Sequence, residues 1–567
     1  MSDQRFETER QMLLAAEERG GAGKLTTYLR LSGPGWLQSA LTLGGGSLGS
    51  SLYLGILAGT SLLWLQPFAM VLGVIMLSAI SYVTLSTNER PLQAINRHIN
   101  PVLGWSWVAA TLMANMVWVL PQYSLCFAVC EQNLLPSIFL GDGPLSDGTQ
   151  ASDAGKWLVS FVALAICTVV TWSYGSGSWG VRLYEIVLKL VVALIVVSFA
   201  GVVLRMASVE PGLDWGAVLA GFVPKPQHLY EPSATFAPLL EAVTDPAARS
   251  YWSDLIVSQQ RDVMLSAGAA AVGINMTFLL PYSLLSRGWD RAFRGLTIFD
   301  LSTGTFIPFV IATCCVVIAS AQQFHTQIPD GFVVSEENVE PPPQFEKAFS
   351  KNLKNRDDAA EEYGIAGAPG VAEERLAAVL CKRDTLDLAK SLQTLFADED
   401  SDGRVFSNIV FGIGVVGMTL SSISLMMLIS GFVVCEVLGE PTEGWVFRGG
   451  CMLASVGVLW PLVWGDGDAK AYLTVVAGVF GSMLLPIAYV TFFVMMNQRS
   501  LLGDQLPTGG RRVLWNVLMG LAATAASAAG VSAIMKKAGN AGLVVVGLYL
   551  ALVIAVQLTR EEPEAAD

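Results

Sequence analysis

The chain has 567 residues, of which 53% are hydrophobic and 14% charged, whereas soluble domains typically carry about 25% charged residues. Its net charge of −13 has the wrong sign for binding a phosphate backbone. These values exclude a soluble multi-domain enzyme, a disordered chain and a nucleic-acid-binding protein. With a mean hydropathy of +0.52, the composition indicates an all-α polytopic membrane protein.

Apolar runs long enough to cross the bilayer recur along the whole chain. A spanning helix needs about 20 such residues. The sequence predicts about 12 transmembrane helices, near residues 33–56, 62–85, 105–130, 157–174, 184–206, 263–285, 298–321, 406–435, 449–464, 471–495, 513–534 and 541–558. The polar N-terminal segment lacks the apolar core of a cleaved signal peptide, so we expect the first span to direct insertion.

The short loops show a bias in Lys and Arg that predicts the topology. Arginines fall in alternate loops, including Arg90, Arg182 and Arg287, which places both termini in the cytoplasm of a multi-pass protein of the cell (inner or plasma) membrane. The predicted division is a cytoplasmic tail (1–30), seven spans (31–321), an acidic extracytoplasmic insertion (322–404), five spans (405–559) and a second cytoplasmic tail (560–567).

The insertion carries 17 acidic and 9 basic side chains, which predicts a solvated cap over the outer mouth. Its amphipathic stretch, residues 371–396, is typical of one or two surface helices. Asp398, Asp400 and Asp402 reproduce the start of a calcium loop. Such a loop needs a bidentate Glu at its twelfth position, where Ile409 stands, so we expect an acidic turn instead.

Glycine runs interrupt the first and the sixth span. Paired interruptions at matching positions of two repeats indicate a transporter's binding site, although small residues also serve close helix packing. We predict that the substrate is contacted by these two segments and by polar groups of the third span. The predicted substrate-binding residues are Gly44, Gly45, Ser47, Gly273, Ile274, Asn275, Thr277, Gln122 and Tyr123.

Ionisable groups are scarce in the spans. His98, His228 and His325 all fall in predicted loops, so a proton path could not use imidazole. The spans also offer no cage of histidines and cysteines for a transition metal. No nucleophile–base pair or phosphate-binding loop is evident, so we predict neither an enzyme nor a cofactor.

Three carboxylates lie close to the ends of predicted spans. Glu131 and Glu436 are expected to reach water. Asp300 is expected to form a salt bridge with the basic loop 287–294.

Four segments resemble the NRAMP family of divalent-metal transporters. GPGWLQSALTLGGGSLGS (Gly33–Ser50) is similar to the family's first helix, and Asn275–Gly288 resembles the sixth. Gly417–Gly439 and Phe480–Gly503 resemble the eighth and tenth helices. The resemblance implies a LeuT-type fold of the APC superfamily, with ten core helices in two inverted repeats and alternating access around broken helices one and six.

The sequence departs from the family pattern at the metal ligands. Gly44 occupies the position of the metal-binding Asp, Ser47 that of the Asn, and Ile274 that of the Met, although a two-residue shift would place Met276 there. Transition metals and hard cations usually bind carboxylates or soft donors. The prediction is therefore a secondary transporter of a neutral polar solute or a non-transition-metal ion.

Two other functions remain open. The chain could carry a hydrated divalent cation of the Mg²⁺ or Mn²⁺ type, or it could be a membrane sensor or scaffold that transports nothing. The predicted partners are the substrate, the lipid bilayer and a coupling ion, with Na⁺ favoured over H⁺ at Ser421 and Ser422. No nucleic-acid partner is predicted.

Overall fold

The computed structural model describes residues 2–18, 20–148, 151–174, 178–208, 212–383, 404–442, 444–464 and 469–560. Most of them are helical, with one two-stranded antiparallel hairpin in which β1 (Val333–Val334) pairs with β2 (Val339–Glu340). Apolar side chains from nearly every long helix form one continuous buried core. The predicted all-α membrane architecture is thus confirmed.

The first repeat and its flanking segments contain the helices α1 (Ser2–Glu18), α2 (Gly20–Leu31), α3 (Pro34–Thr42), α4 (Gly45–Ala58), α5 (Leu65–Thr87), α6 (Pro91–His98), α7 (Pro101–Val129), α8 (Pro136–Phe139), α9 (Asp153–Tyr174), α10 (Ser178–Ser208), α11 (Trp215–Ala220) and α12 (Ala237–Glu241).

The remainder contains α13 (Pro246–Ala271), α14 (Ile274–Ser286), α15 (Arg294–Asp300), α16 (Phe306–Phe324), α17 (Glu346–Asp358), α18 (Ala360–Tyr363), α19 (Val371–Val379), α20 (Arg404–Leu438), α21 (Gly444–Cys451), α22 (Trp460–Val463), α23 (Leu473–Asn497), α24 (Arg499–Leu502) and α25 (Gly509–Thr559). Short 3₁₀ segments join several of them, and π-helical turns occupy Cys130–Leu134 and Leu301–Thr305.

Within the described residues, nine continuous helical segments are long and apolar enough to cross a membrane. A tenth candidate is the pair α3 and α4, which bends by 52° at a short break. The predicted first span is therefore two half-helices. The sixth span is similarly divided into α13 and α14, which meet at Val272 and Gly273.

The last two predicted spans form one 51-residue helical segment, α25, that reverses direction at Gly539. Gly539 has a φ of +55°, which side chains with a Cβ rarely adopt. A Cβ on Gly542 would come within 2.5 Å of Ile534, although eight residues of straight helix span about 12 Å. The segment is thus a hairpin with room for two crossings.

Helix α1 and the end of α25 lie at one end of the bundle, which we call the termini side. Trp289 donates a 3.2 Å hydrogen bond to Glu9 in α1, and the Arg560 guanidinium, just beyond α25, contacts the Arg97 carbonyl. Lys536, near the hairpin turn of α25, instead pairs with Asp262 at 2.7 Å. The described part of α1 and the end of α25 therefore lie at the same end of the bundle.

Asp300 ties the start of α3 to the end of α15. Its carboxylate accepts hydrogen bonds from the amides of Gly33 at 3.1 Å and Gly35 at 2.6 Å, and from the Ser32 hydroxyl. Asp300 is completely buried, so these donors replace the water that it loses. The sequence predicts a salt bridge between Asp300 and the basic loop 287–294. In the structure, the principal partners of Asp300 are instead backbone amides at the start of the first half-helix.

Part of the acidic insertion forms a helical cap on the side opposite the termini. Arg356 and Glu373, which are both buried, form a salt bridge of 2.9 Å. The Trp252 indole of α13 donates a 3.0 Å hydrogen bond to Glu373. The Tyr53 hydroxyl of α4 donates to the Arg383 carbonyl. The cap is thus bound to both half-helices of this side. The calcium-like segment at Asp398–Asp402 and the second half of the predicted stretch 371–396 lie outside the described residues.

His325 joins three elements beneath this cap. Its Nδ1 lies 2.7 Å from the carbonyl of Ile56, and its Nε2 contacts the Thr235 hydroxyl. Burial lowers the pKa of His325 below its ordinary value of 6.5, because the charged imidazolium is poorly hydrated there.

A pH-dependent stability follows from this environment. Since the unfolded chain binds the proton more readily, stability is complete above pH 6.5 and is lost as the pH falls toward the lowered pKa of His325. We expect the melting temperature of the purified protein to fall more between pH 7.5 and 5.5 than that of His325→Gln. Identical pH profiles of the two proteins would contradict this assignment.

Candidate substrate site

The first break separates α3 from α4 at Leu43 and Gly44. Backbone groups freed by such a break must find partners inside the protein, because lipid offers none. The amide of Leu43 still bonds to the Ser39 carbonyl at 2.8 Å, and that of Gly45 bonds to Oε1 of Gln122 at 3.1 Å. The Ser47 hydroxyl donates a hydrogen bond to the Thr42 carbonyl. The break is therefore satisfied by polar side chains from α4 and α7.

The second break separates α13 from α14. The Asn275 side chain accepts from the Met276 amide at 3.0 Å, which satisfies one donor at the new helix start. Thr277 accepts a 3.0 Å hydrogen bond from Trp107. The Thr42 hydroxyl lies 3.4 Å from the Ala271 carbonyl and so connects the two breaks directly.

The two breaks enclose a cavity of about 30 Å³ in the centre of the bundle. A cavity of this size accommodates about one or two water-sized groups. It is lined by Leu41, Thr42, Gly44, Gly46, Ser47, Trp118, Gln122, Ala269, Ala270, Gly273, Asn275, Met276 and Met426.

No residue of this lining is ionisable, and its polar atoms are of two kinds. The side chains contribute the Thr42 and Ser47 hydroxyls, the Gln122 and Asn275 amides and the thioethers of Met276 and Met426. Sδ of Met276 lies 3.2 Å from Thr42 Oγ1. The backbone contributes carbonyls at the ends of α3 and α13. Carbonyl oxygens have two lone pairs, so one hydrogen bond leaves acceptor capacity. The amides of Gly45 and Met276 are already used, whereas the carbonyls keep lone pairs that can coordinate an electropositive group.

The structure brings together five of the predicted site residues in this lining: Gly44, Ser47, Gln122, Gly273 and Asn275. Gly45 lies next to it through its bond to Gln122. Ile274, Thr277 and Tyr123 are buried outside the lining.

Tyr123 points away from the cavity because the two side chains that follow one another on a helix diverge by about 100°. Its ring packs beside Gly457, whereas Gln122 reaches the break. The sequence predicts that Gln122 and Tyr123 both contact the substrate. In the structure, only Gln122 lines the cavity.

Sequence reasoning missed Thr42, Trp118 and Met426. Thr42 had a usable signal, since it is the last residue of α3 before the glycine run. Trp118 precedes Gln122 by four residues and so shares its helix face. Met426 gave no signal, because its place in the lining depends on the packing of α20 against the breaks.

The glycines of the first span also serve close packing. A Cβ on Gly44 would lie 2.1 Å from Ser422 Oγ, and one on Gly46 would lie 2.1 Å from the Trp118 ring. The two interpretations of the glycine run thus apply together, since the same residues break the helix and admit neighbouring side chains.

The two serines of the predicted sodium site differ in their surroundings. Ser421 donates to the Met418 carbonyl at 2.8 Å. The Ser422 hydroxyl is buried, makes no hydrogen bond and faces Gly44. Among the described residues, no group of three or more His, Cys, Asp or Glu side chains could hold a metal ion.

The contact between Gly44 and Ser422 generates a stability prediction. We expect Gly44→Ala to lower the free energy of unfolding by about 1–3 kcal/mol, as overpacking does. Adding Ser422→Ala removes the 2.1 Å contact and should restore most of this loss. Thermal unfolding of the two single variants and the double variant measures the coupling. Additive effects would show that the two residues do not touch.

Comparisons with known proteins agree with this architecture. The family model described as "Natural resistance-associated macrophage protein-like" matches residues 384–536. A glutamate-to-glutamine mutant of the Eremococcus coleocola manganese transporter matches with a TM-score of 0.60 at 13% identity, covering 94% of this chain and 95% of that one. The same transporter in complex with an aromatic bis-isothiourea substituted compound matches with a TM-score of 0.59 at 15% identity, covering 95% and 96%. No curated protein sequence matches the chain.

The fold likeness covers nearly the whole chain, whereas the family model covers the segment that contains α20 to α23 and most of the first arm of α25. The predicted LeuT-type fold is confirmed by these matches. Together, the two findings show that residues 384–536 are similar to the NRAMP family and that nearly the whole chain shares the fold of the solved manganese transporter.

Proposed function

We propose that this membrane protein is a secondary transporter that moves a metal cation by alternating access around the two helix breaks. The observation that carries the proposal is the central cavity, where both breaks meet and where carbonyls at the ends of α3 and α13 keep lone pairs that can coordinate a cation. The similar solved structures are described as manganese transporters, which supports a cation as the cargo.

The replaced ligands narrow the choice of cation. A transition metal held by the usual chemistry needs a carboxylate or several soft donors, and this lining has no carboxylate and only the thioethers of Met276 and Met426 as soft donors. Mg²⁺ keeps several of its waters in protein sites, so it needs fewer direct ligands. We therefore favour a partly hydrated divalent cation, bound by carbonyls, Thr42 and Asn275, over a tightly bound transition metal.

A neutral polar solute is the second candidate, because no residue of the lining is ionisable. The size of the cavity argues against it. About 30 Å³ is far below the roughly 300–1,000 Å³ of typical small-molecule pockets. A sugar or amino acid would require the half-helices to move apart before binding.

The coupling ion belongs to the same proposal. The unpaired Ser422 hydroxyl and the carbonyls of the first break could hold Na⁺, and the histidines lie outside the nine membrane-spanning segments found in the described residues. An imposed Na⁺ gradient should therefore raise uptake more than a pH gradient does. We place the termini side in the cytoplasm on the basis of the arginine-rich loops.

Uptake by proteoliposomes tests the proposed cargo. We expect saturable uptake of Mg²⁺ and Mn²⁺, reported by an entrapped metal-sensitive dye, and no uptake of labelled sugars or amino acids. Uptake of a neutral solute without cation uptake would establish the second candidate. If the folded protein neither takes up nor exchanges any of these substrates, the remaining interpretation is a sensor or scaffold.

The thioether of Met276 supplies a selectivity prediction. Sulfur binds Mn²⁺ better than it binds the harder Mg²⁺, so Met276→Leu should lower Mn²⁺ uptake several-fold relative to Mg²⁺ uptake. Met70→Leu, a buried methionine of α5 away from the cavity, is the matched control. An equal loss for both ions would indicate a packing defect instead.

A further inference from the structure

A second, larger cavity lies at the termini side, where α5, α14 and α20 end. Its volume is about 310 Å³, and it is lined by Asn88, Arg90, Tyr282, Leu285, Ser286, Glu436, Glu440 and Thr442. None of these residues belongs to the central lining. The cavity is therefore separate from the proposed substrate site.

Glu436 is the unusual member of this wall. Its side chain is only 1% exposed, although its place at a span end predicts contact with water. Oε2 lies 3.5 Å from Nη1 of Arg90, while Oε1 is buried and makes no hydrogen bond. Tyr282 is a neighbour of Glu436, but its hydroxyl also lacks a hydrogen bond of normal geometry. A buried carboxylate oxygen left unpaired is costly, and it points to a missing partner.

The chemistry of the lining identifies that partner. Glu436, Glu440 and Arg90 give the wall a net charge of −1, and Asn88, Ser286 and Thr442 add neutral oxygen atoms. Hard divalent cations prefer carboxylate, amide and hydroxyl oxygens. An anion would meet two carboxylates and one guanidinium, so the charges favour a cation.

Helix α14 connects this cavity to the central one. Asn275 and Met276 at its start line the central cavity, and Tyr282 and Ser286 at its end line the second. Ten residues of helix correspond to about 15 Å. Between the cavities, Phe278 stacks on Tyr282 with ring centroids 4.5 Å apart, and Tyr282 faces Phe432 at 6.3 Å. Aromatic rings thus fill the space that a cation would have to cross.

We propose that Glu436 and Glu440 form a second binding site for a hard divalent cation on the termini side, separated from the central site by the Phe278–Tyr282 stack. The cation replaces the guanidinium of Arg90 at Glu436. Cation binding at this site does not require transport. The further role of this site, as the next binding site on a cation's path from the central cavity, rests on the proposed function.

Binding of Mn²⁺ to the purified full-length protein in detergent tests the site. Electron paramagnetic resonance of free Mn²⁺ counts the bound ions. We expect Glu436→Gln to remove one class of bound Mn²⁺ or to weaken it at least tenfold. Glu131→Gln is the matched control, since Glu131 is also a buried glutamate at a helix end but is paired with Lys470 at 2.9 Å. Equal Mn²⁺ binding by Glu436→Gln and the unaltered protein would overturn the proposal.

Arg90→Gln provides a test with the opposite sign. If Arg90 competes with a cation for Glu436, removing one positive charge a few ångströms away should tighten Mn²⁺ binding by about tenfold. If the pair is only structural, the variant should melt at a lower temperature and bind Mn²⁺ no better, and the proposal fails. This test stays decisive where Glu436→Gln does not fold.

The two proposals fail in different ways. Loss of Mn²⁺ binding in Glu436→Gln, in a protein that takes up no cation into proteoliposomes, would keep this site and reject transport. Cation uptake with Mn²⁺ binding insensitive to both variants would keep transport and reject this site.

Discussion

The arrangement of this bundle depends on one constraint: backbone groups released inside a membrane must be satisfied by the protein itself. The chain leaves helical geometry at Gly44 and at Gly273, and each break is repaired by a few side chains. Gln122 serves the amide of Gly45, and Asn275 serves the amide of Met276. Thr42 reaches from the first break to the Ala271 carbonyl of the second. The cavity lies where both breaks meet, and the side chains that satisfy the breaks also line it.

The central cavity and the termini-side cavity differ in their charge. That lining has no ionisable residue, whereas the termini-side cavity has two glutamates and an arginine. A cation held only by dipoles in the centre is bound weakly, and weak binding lets an ion leave a site once a path opens. A carboxylate beyond the aromatic stack would then attract the ion outward. The Phe278–Tyr282 contact is the element that separates these two environments.

The first half-helix is fixed at both of its ends. Asp300 holds the amides of Gly33 and Gly35 at the start of α3, and the Thr42 hydroxyl joins its end to the second break. On the other side of the membrane region, Tyr53 of α4 and Trp252 of α13 are bound to the cap. A movement of α3 must break the Asp300 hydrogen bonds, and a movement of α4 or α13 must carry or release the cap. Buried polar contacts of this kind favour discrete arrangements over gradual ones.

The sequence by itself determined the membrane class, most of the spans and the two breaks, because apolar run length and glycine runs are local properties. It also singled out Gly44, Ser47, Gln122, Gly273 and Asn275, which line the central cavity, since each lies at a break or on a polar helix face directed at one. Only the tertiary structure decided which neighbours complete the lining: Trp118 and Met426 take part because of how α7 and α20 pack. The tertiary structure also decided that Glu436 is buried, because the ends of α5, α14 and α20 converge around it. Its position at the end of a span, taken alone, predicts exposure to water. The convergence of segments that are distant in sequence depends on long-range packing, which local sequence patterns do not show.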